Sequence, residues 1–212
     1  GHGHMGLSAE RLAAKYGLGR EAQDAFALRS QQRYAAALAA GWYHDEITRA
    51  ADLAKDEHPR PETTAAALAG LKPAFQADGT VTAGNASGIN DGAALLVVCA
   101  EQFAKDHNLR PLAKVLRGAL VGCDPALMGL GPVHATRALC QQLNCGLGDF
   151  DLIEINEAFA AQALACLHEL KLPVEKVNSD GGAIALGHPI GASGARLVTH
   201  LAWQLARGRG RR

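Results

Sequence analysis

Two stretches of the chain carry side chains whose types and spacing could do chemistry. The first is Ile153-Glu154-Ile155-Asn156-Glu157-Ala158-Phe159-Ala160. An apolar strand pattern ends at Ile155 and a run of small, helix-forming residues follows. Asn156 and Glu157 are therefore expected at the carboxyl end of a strand and the amino end of a helix, the rim where open α/β sheets collect ligands. An amide there can orient a water or a carbonyl oxygen; it can equally serve as a plain helix cap. The second stretch runs over residues 181–196, with Gly181, Gly182, Gly187, Gly191 and Gly194 spaced around His188-Pro189. Glycines let backbone approach a ligand closely. Pro189 biases His188 towards an extended conformation. Imidazole titrates near neutrality, so His188 could take a proton from a thiol or donate to an oxyanion; a satisfied structural histidine is the alternative.

Other chemistries fit less well. Gly187, Gly191 and Gly194 precede a helix, but their spacing is not G-x-G-x-x-G and no Gly-Lys-Ser/Thr follows, so neither phosphate-loop motif is met. Five cysteines lie at 99, 123, 140, 145 and 166, none beside a base that would lower its pKa, and all read as structural. Their scatter is not a disulfide framework and suits a reducing, cytoplasmic setting. Twenty-one basic residues offset 21 acidic ones, which gives no global field for nucleic acid or a membrane surface. The tail Arg207, Arg209, Arg211, Arg212 reads as a solvated, frayed end. No apolar run approaches the roughly 20 residues of a membrane-spanning helix, and Gly1 to Met5 has no signal-peptide core. No metal-ligating pattern and no bound cofactor are expected.

The elements that must position these residues can be read from punctuation and period. A helix is expected from Ser8 to Gly17, and another from Arg20 to Ala40, closed by Gly41. Pro59 and Pro61 make residues 56–64 irregular, and Thr63 is placed as the cap of a short helix to Leu71. Residues 93–99, 112–121 and 152–155 read as strands, the first apolar throughout as in a strand buried on both faces. Helices are expected over 101–108, 133–143, 157–170 and 193–206. Strands alternating with helices imply a layered α/β/α fold, preceded by a helical, loop-rich section.

Four motifs, in order along the chain, resemble the thiolase family: Thr82-Ala83-Gly84-Asn85-Ala86-Ser87-Gly88, Met128-Gly129-Leu130-Gly131-Pro132, Asn156-Glu157-Ala158-Phe159 and Gly187-His188-Pro189. The resemblance implies an acyl-CoA acyltransferase that cleaves a 3-ketoacyl-CoA with CoA, or condenses two acyl-CoA molecules, with CoA as substrate. By resemblance, His188 would activate a nucleophilic cysteine and help form an oxyanion hole, and Asn156 would hold a water that donates to the thioester oxygen. Ser87 would bind the pantetheine amide and Arg60 would lie near the nucleotide end of CoA. Phe75, Ile89, Met128 and Phe159 would line the tunnel, with Met5, Ala83 and Ala158 among the substrate-contacting positions.

The same resemblance divides the chain into a partial CoA-binding loop domain over 6–88, the end of the N-terminal domain over 89–109, and a C-terminal domain over 110–212 lacking its last strands. Residues 1–5 are either a tag remnant or the family's His-Met-Gly entry to the loop domain. The family's nucleophilic cysteine lies in the half that precedes this match, and its second cysteine in a C-x-G-x-G segment beyond it. Cys145-Gly146-Leu147-Gly148 echoes that segment with the wrong spacing. The implied parent is a homo-oligomeric enzyme of which these residues form an inactive fragment. A non-catalytic CoA-binding module, and a half-enzyme needing a partner chain, are the alternatives.

Overall fold

The computed structural model describes residues 3–211. Its helices are α1 (Met5–Tyr16), α2 (Arg20–Ala39), α3 (Ala65–Ala69), α4 (Glu101–Asp106), α5 (Gly131–Leu143), α6 (Ala160–Leu170), α7 (Ala183–Leu186) and α8 (Ile190–Ala206), with a 3-10 turn at Pro125–Leu130. Several starts differ from the sequence expectation. α1 begins at Met5 because the His4 ring accepts from the Gly6 N–H at 3.1 Å. Thr64, not Thr63, caps α3 by accepting from the Ala67 N–H at 3.1 Å. α6 begins at Ala160 rather than Glu157, because the preceding residues pair instead with 85–87. Ser87 N–H donates to Ala158 C=O at 3.0 Å and Ala160 N–H to Asn85 C=O at 2.8 Å.

The core forms around α6. Ala160, Ala161, Ala165 and Cys166 are fully buried, small enough to let α1, α2 and the 3-10 turn close on three sides. Leu12, Phe26, Leu68, Leu130, Val133, Ile155, Leu167 and Ile184 cluster with Ala160, Ala165 and Cys166, while Ala161 packs with Ala9, Ala13, Val81 and Ala86. Buried polar groups are matched to this core. The Glu10 carboxylate accepts from the Thr80 and Val81 N–H groups at 2.9 and 2.8 Å, and so fixes residues 80–81 against α1.

The expected strands form no ladder among the described residues; only isolated bridges occur, one of them the parallel pair Ile153 and Val177. Residues 93–99 and 112–121 lack neighbours to take their backbone groups, and their side chains are open to solvent: Val97 is 97% exposed and Leu120 fully so. Apolarity on both faces is the pattern of an inner strand, and here the flanking layers are not provided by the described residues. The basic tail is also not frayed. Arg207 pairs with Asp45 at 3.0 Å, Arg209 with Asp180 at 2.8 Å, and the Arg211 N–H donates to Asp151 at 2.8 Å. Arg212, with Gly1 and His2 of the entry segment, lies outside the described residues.

Candidate active site

Asn156 and His188 meet. The Asn156 amide nitrogen lies 3.3 Å from His188 Nε2 and 3.4 Å from Nδ1. Nearly equal distances mean that it bonds squarely to neither. The helix starts four residues later, so Asn156 is not the cap that its residue type allowed. Its Oδ1 is buried and has no partner.

Both residues are held from outside the two motifs. Ser193, on the first turn of α8, donates its hydroxyl hydrogen to the Pro189 carbonyl at 3.0 Å, so its oxygen accepts from His188 Nδ1 at 2.6 Å. That puts the ring proton on Nδ1 and leaves the Nε2 lone pair available. The His188 backbone N–H donates to Asn90 Oδ1 at 3.2 Å, while the Asn90 amide nitrogen faces His58 Nδ1 at 3.4 Å. Gly187, at φ +93, approaches Asn90 so closely that a Cβ would lie 2.5 Å from its Oδ1. Burial, and then the Arg196 charge, lower the His188 pKa, so the ring is neutral where a base is wanted.

Glu157 is not free for chemistry. It is fully buried and accepts from Ser30 Oγ at 2.6 Å, Asn178 Nδ2 at 2.8 Å and the Ile184 N–H at 3.2 Å. It therefore ties α2, the loop at 178 and α7 together directly behind Asn156. Asn178, at φ +51, continues the parallel bridge with its side chain: Oδ1 accepts from Ile155 N–H and Nδ2 donates to Ile155 C=O, each at 2.8 Å.

Of the remaining positions named from sequence, Ser87 donates its hydroxyl to Ala158 C=O at 3.1 Å. Phe75 packs edge-on to Phe159 at 5.9 Å and stacks on His4 at 4.8 Å, next to Met5. Met128 is half-exposed and Ile89 fully exposed. Ala83 is exposed and Ala158 half-buried. Arg60 folds back on its own turn, its guanidinium donating to the carbonyls of Glu57 and His58 at 2.9 and 2.7 Å. An open depression of about 380 Å³ lies between residues 90–94 and 189–192; His188 is not among its lining residues.

Ser193, Asn90, His58 and Asn178 were not singled out in the sequence. Ser193 alone left a signal: five residues beyond His188, it follows a proline that starts a helix, so the turn returns it beneath the ring. None of the five cysteines hydrogen-bonds to His188 among the described residues. Burial pushes the Cys166 thiol up to about 11, and it donates to Gly129 C=O at 3.1 Å. No group of His, Cys, Asp and Glu among the described residues could hold a metal ion.

Residues 1–102 match the family model of the thiolase N-terminal domain, and residues 109–212 that of the thiolase C-terminal domain. The acetyl-CoA acetyltransferase of Chromobacterium violaceum is 53% identical over 213 residues, covering 96% of this chain and 54% of its own length. The crystal structure of human mitochondrial 3-ketoacyl-CoA thiolase in complex with CoA superposes with a TM-score of 0.90 at 46% identity, covering 97% of this chain and 53% of that one. The Bacillus anthracis acetyl-CoA acetyltransferase gives a TM-score of 0.91 at 48% identity, covering 96% and 54%. The layered α/β fold expected from sequence is thus the fold of these proteins, and the chain spans about half the length of the relatives that it matches.

Proposed function

Because the chain belongs to the thiolase family, we propose that it supplies the His188 and Asn156 side of an acyl-CoA acyltransferase site. The reaction is thiolysis of a 3-ketoacyl-CoA by CoA, or its reverse, the Claisen condensation of two acyl-CoA molecules. The observation that carries the reading is the convergence of an amide donor and a neutral imidazole whose Nε2 lone pair is freed by Ser193. His188 Nε2 takes the proton of an attacking thiol as its sulfur bonds to the substrate carbonyl carbon. The resulting imidazolium and the Asn156 amide, acting through a water, then offer hydrogen bonds to the oxyanion. In other enzymes one such donor is worth about 2.7–4 kcal/mol. Ser87 and the Phe75–Phe159 pair serve the pantetheine arm on this reading, and Arg60 the nucleotide end.

These 212 residues by themselves have no turnover, since no cysteine is placed to be activated by His188. They act as half of a site completed by a polypeptide segment that carries the nucleophile. The exposed apolar runs at 93–98 and 112–121 favour this half-enzyme over a self-sufficient CoA-binding module, because they need covering layers. A cytoplasmic, homo-oligomeric parent enzyme belongs to the same reading. No helix among the described residues is long and apolar enough to cross a membrane.

The test is thiolysis of acetoacetyl-CoA by the purified chain, alone and after refolding with the N-terminal half and the C-terminal C-x-G-x-G segment of a thiolase relative. No activity alone and CoA-dependent cleavage with the added segments are expected. Family-like turnover by the chain alone would overturn the reading, as would a complemented pair whose activity survives His188→Ala.

A further inference from the structure

Six helices, α1, α2, α4, α5, α6 and α8, end in one backbone motif. A left-handed residue stops the helix, and the N–H of the next residue reaches back five positions, which brings the side chains of those two positions together. In α1 the Leu18 N–H donates to Ala13 C=O at 2.9 Å, in α2 Trp42 to Ala37 at 3.0 Å, and in α6 Leu172 to Leu167 at 3.0 Å. In each of these three the pair packs in a common apolar cluster. α5 closes the same way: Asn144 takes φ +49 and the Cys145 N–H donates to Cys140 C=O at 3.0 Å. Here the facing pair is two thiols. Both are free and half-buried.

We propose that Cys140 and Cys145 are a redox pair that closes to an intramolecular disulfide across the last turn of α5, by exchange with a small-molecule disulfide such as oxidised glutathione. The motif already holds the two residues one backbone hydrogen bond apart. A disulfide needs a Cα separation of roughly 4.4–6.8 Å, so little backbone movement is required. Burial and the adjacent Cys145 thiol both raise the Cys140 pKa. Cys140 is therefore the thiol that keeps its proton, and Cys145 makes the first attack.

The Cys145 thiolate attacks one sulfur of the small disulfide. That S–S bond breaks, one small thiol leaves with its electron pair and takes up a proton, and a mixed disulfide remains. Cys140, as thiolate, then attacks the Cys145 sulfur and expels the second small thiol. Two protein thiols are oxidised and one small disulfide is reduced to two thiols. Cys166 cannot compete, being buried and bonded to Gly129 C=O.

The purified chain is incubated with oxidised glutathione, acid-quenched, unfolded in guanidinium, alkylated with iodoacetamide, cut with trypsin and sequenced by mass spectrometry. Arg137 and Lys171 bound one peptide holding Cys140, Cys145 and Cys166. Expected is a peptide two hydrogens lighter with only Cys166 alkylated, restored to three alkylated thiols by dithiothreitol. Cys140→Ser is expected to trap glutathione on Cys145, and Cys145→Ser to leave Cys140 alkylated. Full alkylation of both thiols while the exposed Cys99 is oxidised would overturn the proposal. So would a stable mixed disulfide on wild-type Cys145, or a bond from either thiol to Cys166 or to a second chain.

Discussion

With its hydroxyl hydrogen committed to the Pro189 carbonyl, Ser193 has only acceptor capacity left for His188 Nδ1. Alanine at 193 removes that acceptor without touching Nε2. The ring then loses a hydrogen bond worth about 1 kcal/mol and its preference for one tautomer. In Ser193→Ala the imidazole nitrogens, followed by NMR, are expected to report a mixture of tautomers in place of one. Turnover of a complemented enzyme should fall roughly tenfold, which corresponds to about 1.4 kcal/mol. An unchanged nitrogen spectrum would show that Ser193 does not set the tautomer. Asn156 and His188 could be picked out in the sequence because a strand end and a glycine-rich loop are informative contexts for polar groups. Asn90 and His58 could not, since each meets the site only through contacts made across the fold, Asn90 reaching the His188 backbone from nearly a hundred positions away.

Helix ends were the most readable part of the chain because their chemistry is local: Gly17, Gly41 and Gly208 take positive φ where the helices stop. Asn108, Asn144 and Lys171 do the same at α4, α5 and α6 with a side chain attached, and so left a weaker trace. The strand patterns were visible as apolar runs, but a run states only what a segment would bury and not what will cover it. Residues 152–155 show how such a segment can be satisfied without a full sheet. Val177 supplies one bridge and the Asn178 side chain supplies the next pair of hydrogen bonds, then reaches Glu157. Asn178→Ala removes all three side-chain bonds and leaves Ile155 N–H, Ile155 C=O and Glu157 Oε1 short of partners. Each such loss costs about 1–3 kcal/mol. Thermal or urea melts are expected to show a loss of at least about 3 kcal/mol, with the position of Asn156 disturbed as well. Asn178→Gly, which suits the positive φ, should recover little of it, because the side chain and not the backbone conformation carries the pairing. Recovery to near wild type would refute that account.

Across the whole molecule, α8 and the loop after α2 are joined by a charge cluster whose pH response has a definite sign. His200 is fully buried between Glu46 at 2.9 Å and Asp180 at 3.3 Å. Burial alone would lower its pKa, but the two carboxylates outweigh it and hold the imidazole up to about 9 against an ordinary 6.5. A raised histidine contributes stability in full below pH 6.5 and loses it as pH climbs through 9. Glu154 acts in the same direction. Burial, opposed by His200 and Arg196, pushes its carboxyl up to about 7 from 4.5, and its Oε2 is buried without a partner. The folded state therefore favours the protonated carboxyl, an advantage lost as pH rises from 4.5 through 7. Asp180 runs the other way. Burial would raise it, but His200 and Arg209 hold it down to about 2 from 3.8, so its contribution is present above 3.8 and lost only towards 2. The three windows leave maximal stability from this cluster between about pH 4 and 4.5 and a decline across the whole range above it. The contribution of this cluster to the melting temperature is expected to fall between about pH 5 and 9. Glu154→Gln should flatten the lower part of that decline and His200→Gln the upper part, each leaving the other slope in place. A contribution that rises over the range, or slopes that vanish together in either variant, would mean that these two groups do not govern how the halves of this fold stay joined.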